Sequence, residues 1–332
     1  MRIDLSGFQR AGTHGDHREF LRVFERADAL GYDGAWFNEL HFDRRELPYP
    51  APLLLAAAIF ARTERLRVGT SVLILPFHHP LLLAEQVLQT DFQSGGRLDV
   101  GLGRGTASDD HFAALEIDPD SSRERFAAAY DILVDACTRP AVSADGAFWR
   151  FRDVPVGPPP VQRPHPPFYL AAYTRESIAF GVERGLPLLL SLEPPEERQL
   201  DLYRSLVAER GRPAAGGAFS YTRHVCIAPT AAAAAALVDD LLPRLNERRV
   251  AFARRRGKPA AGVERRTRAE FLRDQCIAGD PAACLDQLRA LAARGVTALR
   301  LVFNGNGEVG PAQARAGMEL FARELLPLCR AL

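Results

Sequence analysis

The residues best suited to chemistry stand just after short apolar runs. Asn38-Glu39-Leu40-His41-Phe42 follows one run and Pro76-Phe77-His78-His79-Pro80 follows the next. A histidine can move a proton near neutral pH, so His41 beside Glu39, or His79 across the same rim, is a candidate acid–base group. Gly101-Leu102-Gly103-Arg104-Gly105 closes a third run. There the glycines let backbone approach a ligand closely, and the Arg104 guanidinium can fork two N–H bonds onto a phosphate. Tyr173-Thr174-Arg175-Glu176-Ser177 closes a fourth, with Thr174 where a helix begins and Ser177 on its first turn. Free N–H groups and the positive dipole end favour an anion there. Each motif also has a plainer reading: a tight turn, an N-cap at Thr174, a rim histidine satisfied by backbone. Arg104, Thr174 and Ser177 make one phosphate site only if their strands are neighbours.

Other chemistries find little support. His78 and His79 are adjacent on an extended segment, point opposite ways and have no carboxylate cluster beside them, so no metal is expected. No Ser-His-Asp order, H-E-x-x-H pair or Walker loop occurs, and the glycine run lacks the continuation of a dinucleotide fingerprint.

The elements that must position these residues alternate. Strands are predicted at 3–8, 34–39, 66–75, 97–103, 168–172, 186–191, 218–227 and 298–303. Helices are predicted at 17–30, 52–62, 80–92, 121–137, 174–184, 195–210, 281–294 and 311–330, with Asp120 or Ser121 as cap of the fourth. Eight parallel strands with crossover helices close most simply into an α/β (β/α)8 TIM barrel over 1–332, a doubly wound open sheet being the alternative. Barrel closure puts chemistry at the C-terminal strand ends. Two insertions interrupt the pattern: a small hairpin at 142–154 around Asp145-Gly146, and a helical, basic segment at 245–275 before the eighth strand. The second is either a lid or a solvated surface.

Composition narrows the field. The chain has 332 residues, 47% hydrophobic and 25% charged, which suits a packed globular protein. Its formal charge of +1 offers no field to hold nucleic acid or an anionic membrane. Five dispersed cysteines without a C-x-x-C pair argue against a disulfide framework or zinc. No long uncharged apolar stretch appears, and the expected compartment is the cytosol.

Taken in order, these segments resemble the bacterial luciferase-like, flavin-dependent monooxygenases, in particular their alkanal-monooxygenase, luciferase alpha-subunit branch. The carriers are Gly31-Tyr32-Asp33-Gly34-Ala35-Trp36-Phe37-Asn38-Glu39-Leu40-His41-Phe42, Val68-Gly69-Thr70, Leu75-Pro76-Phe77-His78-His79-Pro80, Ser94-Gly95-Gly96-Arg97, the glycine run with Arg104, Gly185-Leu186-Pro187 and Ala278-Gly279-Asp280-Pro281. The resemblance implies reduced FMN held at the barrel rim, with Arg104 on its phosphate and Thr174 and Ser177 as hydroxyl donors. It places a non-proline cis peptide at Ser71-Val72 beneath the flavin ring, with Gly103 and Tyr173 also beside the cofactor. It further implies a homodimer, packed through the helices at 51–61 and 81–92.

Departures from that branch matter. Its first histidine after the strand-two Glu is Leu40 here, its reactive cysteine is Gly103, and its long mobile loop is represented by a shorter basic stretch, 248–275. Bioluminescence is therefore not expected. The expected activity is oxygenation of an apolar carbonyl or acyl-type substrate, free or carrier-bound, through dioxygen added to the reduced flavin. A flavin must carry that electron transfer because side chains cannot, and the protein must shelter the oxygen adduct from water. Phe8, Leu40, Leu73 and Phe77 are the expected apolar substrate rim. Lacking a dinucleotide site, the chain is expected to receive FMNH2 from a separate NAD(P)H:flavin reductase. The alternatives are an F420-dependent hydride-transferring enzyme on the same barrel, an inert flavin-binding homologue, and a sugar-phosphate barrel enzyme.

Overall fold

The computed structural model describes residues 1–8, 16–42, 49–105, 110–190, 192, 196–210, 219–255 and 263–332. The element ends expected at Ser191, Pro195 and Ala218, and positions 256–262 of the basic insertion, lie outside the described residues.

Strands and helices alternate: β1 (Arg2–Leu5), α1 (His17–Leu30), β2 (Gly34–Phe37), α2 (Pro52–Phe60), β3 (Arg67–Thr70), β4 (Leu73–Ile74), α3 (Pro80–Ser94), β5 (Leu98–Gly103), α4 (Asp110–Ala114) and α5 (Ser122–Thr138). The hairpin β6 (Val142–Asp145) and β7 (Arg150–Val154) follows, then β8 (Phe168–Leu170), α6 (Arg175–Arg184), α7 (Glu196–Arg210) and β9 (Ser220–Ile227). The chain ends with α8 (Ala231–Arg255), α9 (Arg268–Asp274), β10 (Cys276–Gly279), α10 (Pro281–Ala293), β11 (Ala298–Val302), α11 (Pro311–Glu324) and α12 (Leu326–Cys329). Among the described residues, no helix is long and apolar enough to cross a membrane.

Local chemistry sets these bounds. Asp16 Oδ1 accepts the N–H groups of Arg18 and Glu19 to start α1, and Gly31 at φ 90° ends it. The face that α1 buries carries Phe20, Leu21, Phe24 and Ala27 at helical spacing. At α5 the expected cap is not realised: a 3-10 turn at Pro119–Ser121 comes first, Asp118 caps that turn, and Ser121 makes no capping side-chain bond. The last helix divides before Pro327, whose missing N–H cannot continue α11.

Parallel pairing runs β9-β11-β1-β2-β3-β5-β8. Two isolated bridges, Leu170 to Leu188 and Leu189 to Ser220, carry it back to β9 and complete the ring of the expected barrel. Where a full sixth strand was expected, only these bridges form among the described residues: Pro187 has no N–H and contributes its carbonyl alone, to Leu170 N at 2.9 Å. β10 was not anticipated. It pairs with the upper half of β9, from Cys276 against His224 to Gly279 against Ile227, beyond the point where β11 leaves off.

Inward-facing residues fill the barrel below its mouth. Trp36 Nε1 donates to Asp4 Oδ2 at 2.7 Å, Arg2 bridges Asp4 and Asp99, and Arg67 holds Asp99 again. The indole fits because β3 has glycine opposite it: a Cβ at Gly69 would lie 2.3 Å from Trp36 Cε3. The floor is therefore solid and the open end is the C-terminal one. Gly69→Ala should force the indole aside and lower stability by about 2 kcal/mol, read as a fall in the urea midpoint at unchanged slope. An unchanged midpoint would show that Trp36 is not the fixed plug described here.

Candidate functional site

The space nearest the ends of β5 and β8 is a cavity of about 420 Å³ whose lining includes Arg104, Thr174 and Ser177. The three residues that could share an anion thus meet in one place. Thr174 also serves as the plain N-cap of α6: its Oγ1 accepts from Ser177 N at 3.3 Å, while its own N–H donates to Ser177 Oγ at 3.1 Å. Arg123, Arg175 and Arg210 line the same cavity, and each is paired with a carboxylate, on Glu176, Glu209 and Glu183 respectively. Arg104 differs. It donates to the neutral Ser122 Oγ at 2.9 Å and, among the described residues, meets no carboxylate. A guanidinium without a carboxylate among the described residues, lining one cavity with a helix N-terminus, can receive an anion such as phosphate. Tyr173 is half exposed and is not among the residues that line this cavity.

A second cavity, about 280 Å³, occupies the barrel mouth and shares the wall residue Ala171 with the first. Ser71, Asn38, Thr222, Asn306 and Arg300 supply its polar lining, Leu189, Leu190 and Val302 its apolar one. The peptide bond between Ser71 and Val72 is cis, as the family resemblance implied. Gly103 stands against that segment: a Cβ there would lie 2.4 Å from Val72 Cγ2, so this position offers room for Val72 and backbone only. A third space of about 310 Å³ opens outward past Asn38, Leu192 and Asn306 to His224, Arg248 and Phe252. Burial, with the Arg248 charge, pushes His224 down to about 4, so its imidazole is neutral at physiological pH.

Next to Asn38 of the mouth, Glu39 gathers two histidines, and none of the three lines the cavities described above. Its buried Oε1 accepts from His41 Nε2 and from His78 Nε2, both at 2.8 Å, and Oε2 accepts from Ile74 N at 2.6 Å. Burial alone would raise its pKa. The bonds from His41 and His78, the His78 charge and the Ile74 N–H outweigh burial and hold it at about 2. A carboxylate only accepts, so both imidazoles present a proton to it at Nε2, which leaves Nδ1 as the position that can gain or lose one.

His79 is not part of this group. It is exposed and lies against Trp149 and Phe151 of the hairpin, ring centroids 6.3 and 6.5 Å away. His78 is in extended backbone, so alternation turns one ring of the pair to Glu39 and the other outward. The same rule was available in the sequence, but not which histidine faced in. The expected apolar rim also divides. Leu73 is buried in β4 opposite Leu102, and Phe8 packs on Phe24 and lines a cleft between α1 and α11. Leu40 is half-buried, and Phe77 joins a ring cluster with His41 and Phe112. Arg300 was missed entirely, although a lone cation inside the apolar run Ala298–Val302 marks an inward strand position.

Comparison with known proteins follows the same lines. The family described as luciferase-like monooxygenase matches residues 3–298. The alkanal monooxygenase alpha chain of a Kryptophanaron alfredi symbiont is 32% identical over 197 residues, 58% of this chain and 55% of that one. The oxygenase component of a flavin-dependent trigonelline monooxygenase from Acinetobacter baylyi is 30% identical over 168 residues, 50% and 46% of the two chains. The chain thus spans about half the length of the curated relatives it matches. The crystal structure of the monooxygenase RslO1 from Streptomyces bottropensis superposes with a TM-score of 0.79 at 26% identity, covering 99% of each chain.

The Glu39 knot has a pH signature. Its folded pKa of about 2 lies below the ordinary 4.5, so its ionised form adds stability that is complete above the ordinary value and is lost as pH falls towards the folded one. The difference amounts to about 3 kcal/mol. Glu39→Gln should therefore unfold at lower urea than the wild type at about pH 7, with the gap closing between about pH 5 and 3. A gap that stays constant with pH would contradict the ionised, doubly bonded Glu39.

Proposed function

Because the chain belongs to the luciferase-like monooxygenase family, matched over residues 3–298, we propose that it is the oxygenase component of a two-component, FMN-dependent monooxygenase. The observation that carries this reading is that the Arg104 guanidinium, which meets no carboxylate among the described residues, lines one cavity with the N-terminus of α6, a cavity that adjoins the barrel mouth at Ala171. The residues of the first cavity would hold a flavin phosphate, and those of the second would line the space for its ring. When bound, reduced flavin supplies the electrons that dioxygen needs and side chains cannot give.

The protein's own residues bind, orient and shelter. Arg104 anchors the phosphate, aided by the Thr174 and Ser177 hydroxyls. The Ser71-Val72 segment, backed by Gly103, forms the ring's seat. Leu189, Leu190 and Val302 exclude water from the mouth. His41 and His78, held by Glu39, take or give protons at Nδ1. His79 plays no part in that relay. An organic substrate with a carbonyl or acyl group, free or carrier-bound, enters past Asn38 and Phe252, where amide and guanidinium groups make the approach more polar than the sequence suggested. FMNH2 arrives from a separate NAD(P)H:flavin reductase.

Anaerobic titration tests the reading. Reduced FMN should bind stoichiometrically, and on mixing with oxygen the oxidised-flavin absorbance should return more slowly than for free FMNH2. Arg104→Ala should weaken FMNH2 binding by about 2 kcal/mol, roughly thirtyfold. Unchanged affinity in that variant, or binding of F420 in preference to FMNH2, would overturn the assignment.

The proposal includes a homodimer. Helices α2 and α3 pack on each other and leave Leu54, Leu82 and Phe92 exposed by 76%, 60% and 64%, an apolar face suited to a second copy. The protein should sediment as a dimer at about micromolar concentration, and Leu54→Glu should shift it towards monomer. Wild-type protein that remains monomeric there would refute the dimer.

A further inference from the structure

Arg300 extends from β11 onto the barrel axis and is 5% exposed. Its Nη1 donates to Ser71 Oγ at 2.8 Å, and Nη2 donates to the Leu190 carbonyl at 2.8 Å and the Ser220 carbonyl at 3.4 Å. Its Nε is buried without a partner. Every acceptor it meets is neutral, and among the described residues no carboxylate pairs with it. The two carboxylates on the axis are committed elsewhere: Asp4 to Arg2 and Trp36, Asp99 to Arg2 and Arg67. Among the described residues of the axis, two anions are thus matched by two cations, and Arg300 is a third cation left over.

Burial pulls the Arg300 pKa down to about 10, partly offset by Asp4, so the group is still charged at neutral pH. A buried, uncompensated charge is costly and usually finds a counter-charge. What faces Arg300 is the mouth cavity, beside Ser71. Because Ser71 Oγ accepts from Arg300, the Ser71 hydroxyl keeps its own proton to donate to whatever lies there.

We propose that Arg300 is the counter-charge for a flavin ring that is neutral when oxidised and anionic when reduced, so that the site selects reduced over oxidised FMN. The inference rests on the function proposed above. Its logic is a division of labour between two arginines. The phosphate has the same charge in both redox states, so Arg104 holds both forms alike. The isoalloxazine does not: the reduced ring is a weak acid that loses its N1 proton near neutrality, and its negative charge is complementary to a guanidinium at the cavity wall. Differential binding of this kind also raises the midpoint potential of the bound flavin.

The test measures dissociation constants of oxidised FMN and, anaerobically, of FMNH2 for the wild type, Arg300→Met, Arg300→Lys and Arg104→Ala. The wild type should bind FMNH2 at least about tenfold more tightly than FMN, and Arg300→Met should lose at least about tenfold of that ratio. Each tenfold loss corresponds to a fall of about 30 mV in the bound midpoint potential. Arg300→Lys should keep most of the preference, and Arg104→Ala should weaken both forms with the ratio intact. Preference unchanged in Arg300→Met overturns the role of Arg300 while leaving flavin binding in place. A wild-type ratio at or below one overturns it even if Arg300→Met fails to fold. Wild-type protein that binds FMN in neither state overturns both readings.

Discussion

An indole on the barrel axis is the contact on which the remaining architecture turns. Trp36 hands its N–H to Asp4, and Arg2 and Arg300 lie 5.9 and 5.8 Å from its ring centroid. Its six-membered ring occupies the space that any side chain on residue 69 would need. Below it the charges of Arg2, Arg67, Asp4 and Asp99 form a closed set of bonds. A barrel filled in this way has no passage through it, so ligands and chemistry are confined to the upper rim.

The rim is shaped by what happens after β3. The chain turns at the cis bond, sends Leu73 into the core opposite Leu102 and brings Ile74 N to Glu39. Glu39 therefore ties the end of β2 to the segment that follows β3, and its second bond, to His78, tightens the same connection. A carboxylate that receives three donors is firmly ionised, and it fixes the imidazoles in one tautomer. The orientation of both imidazoles and the backbone geometry depend on the same side chain.

Much of this was legible in the sequence because it follows from periodicity and end effects. Strand and helix alternation gave the ring of strands, and residues just past the strand ends gave Arg104, Thr174 and Ser177, which do meet in one cavity. The misses have a common physical cause, since they depend on where a side chain points after an irregular turn. Phe8 and Leu73 follow or lie in non-strand or very short strand segments, where apolar character alone does not say which way a side chain points. The same uncertainty exchanged His79 for His78. β10 is only four residues long and gains its identity from pairing with β9, which no local pattern announces. Arg300 was readable in principle, as a cation at an inward position, but its significance lies in its having only neutral acceptors and no carboxylate among the described residues, and partners are a three-dimensional property.

A surplus cation on a barrel axis must be tolerated without being neutralised. Pairing Arg300 with a resident carboxylate would have removed the cost of burial and with it any pull on a ligand. The fold supplies weaker substitutes: two backbone carbonyls, a hydroxyl and the face of Trp36, each lowering the energy of the guanidinium and none cancelling its charge. Arg104, half-buried and nearer water, is screened more strongly and depends on α6 to reinforce its attraction. The two arginines therefore differ in kind as well as in place. The outer one can hold a charge that is always present, because water already shares the cost; the inner one acts on a charge that comes and goes, because in a dry interior a single unit changes the energy most.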